Sequence, residues 1–179
     1  MRTILLASAA LLTLAGCNKT DTGPKTMEQA KQEAANLERP EPGQYRQVTK
    51  ITKFEVPGAP PQMVEQIKKM MEGQNNNVTY CLTKEESDKG FEEMFRKGKE
   101  GNCKYDRFNA SKSTLDAIMV CDTGQGSQAR MTLNGTISAT GSKVNVNVEQ
   151  KGSKAQMGNA NIAMQMETNR IGECPAGAK

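Results

Sequence analysis

Five cysteines, eleven methionines and no histidine delimit the chemistry open to this chain. Without histidine the commonest general base, the physiological proton shuttle and the commonest metal ligand are all missing, and Ser-His-Asp and Cys-His catalysis are excluded. Carboxylates crowd one segment (Glu85, Glu86, Asp88, Glu92, Glu93), where they read as charges favourable to a helix N-terminus and a solvated face. Gly124-x-Gly126 lacks the Gly-Lys-Ser/Thr and the following helix of a phosphate loop and reads as a turn. Cys81, Cys103, Cys121 and Cys174 contain no Cys-x-x-Cys knuckle, which argues against zinc and for disulfides. The methionines Met63, Met70, Met71, Met119, Met131, Met164 and Met166 support three readings. They fill a core that is short of aromatics, they line an adaptable groove for an apolar ligand, or they hold Cu(I) through thioethers. The last lacks the dense Met-x-x-Met repeats it would need. The expectation is therefore no catalytic residue, no metal, no cofactor and no enzymatic activity, with the seven methionines as candidate lining for an apolar ligand.

The fifth cysteine belongs to different chemistry. Met1-Arg2-Thr3, an apolar run from Ile4 to Leu14, and Leu14-Ala15-Gly16-Cys17 follow the layout of a secretory signal too short to span a bilayer. Small residues running into a cysteine resemble the lipobox of bacterial lipoproteins, which implies lipidation at Cys17 and export. Residues 1–16 are expected to be the signal peptide and 17–42 a lipidated cysteine with a flexible tether. Thr26 to Arg39 there has helical composition but little large apolar surface. Asn18, rather than aspartate, after the cysteine favours the outer membrane facing the periplasm. In that oxidising space the remaining four cysteines are expected to pair. The three glycosylation sequons (Asn77, Asn109, Asn134) carry no weight in a bacterial chain.

Residues 43–174 are expected to form the domain and 175–179 a tail. Tyr45 through Val56 reads as a bulged strand, broken by Pro57-Gly58-Ala59-Pro60-Pro61. Met63, Val64, Ile67, Met70 and Met71 give an amphipathic helical stripe closed by Gly73. Val78 to Leu82 is a second strand. Thr83-Lys84-Glu85-Glu86 has capping-box spacing, opening a helix to about Lys97 with Phe91, Met94 and Phe95 on its buried side.

From Asn102 the chain alternates with period two. A three-residue turn at Ser111-Lys112-Ser113 places Tyr105 opposite Met119 and Cys103 opposite Cys121, within disulfide reach. Elimination leaves Cys81 for Cys174. A turn centred on Gln125 places Met119 opposite Met131, and a hairpin loop at Gly141-Ser142 places Ile137 opposite Val146. In the last strand Ile162 meets Val148 and Met164 meets Val146. Leu115, Ala117, Met119, Met131, Leu133, Ile137, Val144, Val146, Val148, Ile162, Met164 and Met166 then share one dry face, with Phe108, Ile118 and Val120 dissenting on the wet one. The predicted fold is α+β, a curved antiparallel meander of about six or seven strands, with two amphipathic helices over its apolar face and two disulfides.

Pro42-Gly43-x-Tyr45, Pro57-Gly58-x-Pro60-Pro61 before a Met-rich helix, Cys81-Leu82-Thr83, the Cys103/Cys121 pair and Arg170-Ile171-Gly172-Glu173-Cys174 occur in order. This set is similar to small exported proteins of Gram-negative bacteria that share a domain of unknown function, with Tyr45 where tryptophan is commoner. The resemblance implies export and paired cysteines, and no activity. The chain is thus expected to be a lipid-anchored, non-enzymatic binding domain of the cell envelope. Its membrane contact is through lipid, it has no footprint for nucleic acid, and its partner is an envelope protein meeting the polar sheet face or the loops at 123–127 and 151–158. The alternative is a carrier or sensor of a hydrophobic ligand held between sheet and helices. A cavity above ~300 Å³ there would favour the carrier.

Overall fold

Period-two alternation from Cys103 onward becomes five consecutive antiparallel strands in the structure, a computed structural model that describes residues 23–73, 77–124, 126–152 and 158–177. These are β3 (Cys103–Ala110), β4 (Thr114–Gly124), β5 (Ser127–Ser138), β6 (Gly141–Lys151) and β7 (Ala160–Gly172). Two earlier strands, β1 (Gly43–Glu55) and β2 (Asn77–Leu82), complete one seven-stranded sheet in the order β2-β1-β7-β6-β5-β4-β3. Every neighbouring pair is antiparallel. The helices are α1 (Met27–Ala34), α2 (Pro61–Gly73), α3 (Lys84–Lys89) and α4 (Glu92–Glu100). The fold is α+β, and both disulfides pair as expected: Cys103–Cys121, read from the register, with Cα atoms 4.0 Å apart, and Cys81–Cys174, reached by elimination, at 5.5 Å.

Most registers agree with the alternation. Met119 faces Met131, Val148 faces Ile162 and Val146 faces Met164. Two differ, each for a physical reason. The β5–β6 turn is Ala139-Thr140, so Ile137 meets Ser142 and Leu133 meets Val146. The difference from the expected register is four residues, an even number, so every side chain keeps its face. Gly141 serves close approach rather than the turn, since a Cβ there would lie 2.6 Å from the carbonyl oxygen of Thr168. In β3 a bulge at Asp106 shifts the pairing so that Phe108 meets Ala117. Phe108 thereby moves from the wet face into the core, where it is 1% exposed, while Asp106 accepts a hydrogen bond from Arg130 at 2.7 Å.

The core lies between β3–β5 and the helices α1 and α4. Phe95, Tyr105 and Phe108 meet with ring centroids 5.0–6.0 Å apart, edge-on or tilted. Ala30, Ala34, Leu37, Leu115, Ala117 and Ile137 enclose them. The expected flexible tether therefore needs correction from Lys25 onward. Lys25 donates its backbone N–H to Tyr105 at 2.9 Å, and its buried ammonium pairs with Glu33. Thr26 and Gln29 form a capping box, and α1 buries Ala30 and Ala34 completely enough that small side chains, not large ones, set its docking distance. The stripe Met27, Ala30, Ala34, Leu37 at spacings of 3, 4 and 3 was the available signal. Residues 1–22, including Cys17, lie outside the described residues.

The second expected helix is split. Thr83 and Glu86 make the anticipated capping box, and the two Thr83 hydrogen bonds, backbone first, hold the Glu86 carboxyl below its ordinary pKa. Gly90, at φ 57°, then ends α3, and α4 starts two residues on. Phe95 is buried and Phe91 half-buried, while the Met94 side chain lies outside the described residues. Helix cover also differs from expectation: α1 and α4 pack on β3, and α2 meets β1. Gly135 sits on the dry face between Leu133 and Ile137, paired with Leu115 and Val144. A Cβ there would lie 2.7 Å from the Val144 Cα and closer still to the Lys143 carbonyl oxygen, both rigid backbone. Gly135→Ala is expected to destabilise the protein by ~2–3 kcal/mol in urea unfolding; a change below ~0.5 kcal/mol would show that this strand pair relaxes freely.

Candidate functional site

Because helices pack toward the sheet margins, the middle of the dry face is left partly open. A cleft of about 430 Å³ lies over it. Its floor runs across six strands, from Leu115 on β4 through Leu133, Val144, Val146 and Met166 to Tyr80 and Leu82 on β2. The wall is Leu37, Pro40 and Phe91. The wall is fixed by backbone hydrogen bonds at the end of the sheet: Glu38 N–H donates to Lys112 at 2.8 Å, and Glu41 N–H donates to Ala139 at 2.7 Å. The Ser87 hydroxyl adds a bond to the Pro40 carbonyl oxygen at 2.6 Å. A recess of similar size outside α1 and α4 is lined by Lys31, Lys89, Glu92 and Lys99, charges of both signs, and has no comparable apolar floor.

One row of the floor is polar. Ser142, Thr168 and Gln47 are direct partners across β6, β7 and β1, flanked by Ile137 on β5 and Val78 on β2. All three side chains are half-buried, line the cleft and make no side-chain hydrogen bond among the described residues. In the next row Tyr45 and Tyr80 stack with centroids 5.8 Å apart. The Tyr45 hydroxyl donates to the carbonyl oxygens of Glu41, at 2.7 Å, and Ala139, at 3.0 Å.

Burial raises the phenol pKa of Tyr45, with Arg170 pulling the other way, and burial raises that of Tyr80 as well. A phenol whose folded pKa exceeds its unfolded value of about 10 loses its proton first in the unfolded chain. Stability from this source is complete below pH 10 and falls as pH rises through the folded pKa. Urea midpoints are therefore expected to drop between pH 9 and pH 11, less steeply in Tyr45→Phe; equal slopes would remove Tyr45 as the cause.

Among the seven methionines put forward as ligand lining, only Met166 reaches the cleft. Met63 and Met70 are exposed on α2, and Met71 is half-buried there. Met119 packs against the core beside Gly98 and Met27, while Met131 and Met164 lie half-buried elsewhere on the dry face. The structure thus replaces a thioether groove by an aliphatic floor with an aromatic end. Sequence reasoning missed Gln47, Ser142 and Thr168. Their signal was a polar residue at a dry-face position in each of three strands, legible only once the registers are known. Among the described residues no cluster of three His, Cys, Asp or Glu is placed to hold a metal ion, and no helix is long and apolar enough to cross a membrane.

Residues 40–174 match a family described as protein of unknown function, DUF3617. The chain belongs to that family, whose profile begins at the wall of the cleft and leaves α1 outside. No curated protein matches the chain. No solved structure matches it.

Proposed function

We propose that this protein is a non-enzymatic, lipid-anchored carrier or sensor that holds an acyl chain in the cleft on its dry sheet face, on the periplasmic side of the bacterial outer membrane. The observation that carries the reading is the cleft itself. About 430 Å³ of space is within the range of small-molecule sites, which are mostly apolar concavities with few polar groups. The other reading, an interaction module using the polar sheet face, suits a filled core better than an open one. The lipobox-like Leu14-Ala15-Gly16-Cys17 supports anchoring through Cys17, and the docked Lys25 shortens the tether. The two positions are eight residues apart in numbering, so the chain spans at most ~29 Å between Cys17 and the docked Lys25. A hydrophobic ligand would then be received close to the bilayer surface.

The test uses the full chain carrying C17S, exported without lipid, and the uncharged dye N-phenyl-1-naphthylamine, which fluoresces on leaving water. Saturable binding is expected. Val144→Arg, a half-buried position in the middle of the floor, is expected to weaken it at least tenfold with little change in Tm. Absence of saturable binding, or equal binding by Val144→Arg, would sink the reading.

A further inference from the structure

Charged residues make up 25% of the chain, yet among the described residues that line the cleft none is charged. Of the other polar groups on the lining, the Tyr45 and Ser138 hydroxyls donate to backbone carbonyls and the Tyr80 phenol lies one row away, so Ser142, Thr168 and Gln47 form the polar row across three strands. On adjacent strands such partners stand ~4.8 Å apart, so three neutral side chains form one short band of donors and acceptors. On one side of it lie Val144 and Val146, two and four residues along β6. A bound molecule that satisfies this floor has an apolar body over the valines and a polar end at the band.

We infer that the occupant is a single-chain amphiphile with an uncharged polar end, a hydroxyl or an ester such as a monoglyceride carries. The inference rests on the acyl-chain reading above. An ion at the band would lose hydration with no opposite charge among the described lining residues to replace it. The nearest cation along β7, Arg170, is engaged elsewhere: its Nε donates to the Pro42 carbonyl oxygen at 2.9 Å and its terminal nitrogen pairs with Glu173. Size limits the body to one chain. The cleft is about three times the volume of a cavity that accepts benzene, so it takes on the order of 15–18 non-hydrogen atoms.

Displacement of N-phenyl-1-naphthylamine from the full C17S chain at pH 8.5 separates the possibilities. Monodecanoylglycerol, which falls within that size, is expected to displace the dye at concentrations at least tenfold lower than decanoate, decyl phosphate or decyltrimethylammonium. In the double variant Gln47→Leu/Thr168→Val that ratio is expected to fall below threefold, and saturable dye binding, at whatever affinity, reports an intact cleft. Any of the three charged probes matching the monoglyceride overturns the neutral-end inference and leaves the acyl-chain reading standing. A ratio unchanged in the double variant with dye binding retained overturns the assignment of the band. If neither dye nor monoglyceride binds, because the chain's own N-terminus or a second copy fills the cleft, the acyl-chain reading fails instead.

Discussion

Replacing both Cys81 and Cys174 by serine is expected to lower the unfolding free energy by about 4.6 kcal/mol, the largest effect of any pair of substitutions considered. The bridge closes a loop of 93 residues, and the chain-entropy model assigns that value to the loss of freedom in the unfolded state. Folded-state geometry points the same way. β2 is an edge strand of six residues whose first four are exposed, so beyond its ladder with β1 little apolar burial holds it. Cys103–Cys121 spans only 18 residues between strands that are already neighbours, and its removal is expected to cost ~3 kcal/mol. Guanidinium unfolding of the two serine pairs measures the difference. If C81S/C174S costs less than C103S/C121S, the edge strand is held by something other than the bridge. Tyr80 and Leu82 line the cleft, so dye binding should weaken along with stability in the first pair.

The second large effect is at Phe108. Truncation to alanine removes the ring that touches Phe95 and Tyr105 at 5.7 and 5.0 Å from a site 1% exposed, and such truncations cost ~3–5 kcal/mol. The bulge at Asp106 makes this position central. Read with unbroken alternation, Phe108 would sit on the wet face and its loss would cost little. Thermal unfolding therefore tests the bulge as well as the packing: a loss under ~1 kcal/mol would place the ring outside the core.

The effects divide the molecule. Phe108, α1 and α4 hold the β3 margin, the Cys81–Cys174 bridge holds the β2 margin, and the cleft lies between them, walled among the described residues by the strap at 37–41 and Phe91. An apolar floor between two secured margins is the arrangement that the proposed binding role requires.

Side-chain alternation is a local property of extended chain, so the sequence alone determined which residues of β4–β7 share the dry face. The same arithmetic put Cys103 beside Cys121. Even the β5–β6 register, read four residues away from its observed value, left the faces correct because the difference was even. Local cap chemistry likewise placed the start of α3 at Thr83. Other features depend on which distant surfaces meet, and only the tertiary structure decided them. Ala30 and Ala34 look too small to dock a helix until β3 approaches closely enough to need small residues. Ser142, Thr168 and Gln47 come from three strands, and Gln47 is separated by 95 residues from Ser142; no spacing rule links them. Met63 and Met70 satisfy a helical stripe yet stay exposed, because periodicity names a face without naming what covers it. Where the cleft opens follows from that missing cover, a relation between elements that no single stretch of chain encodes.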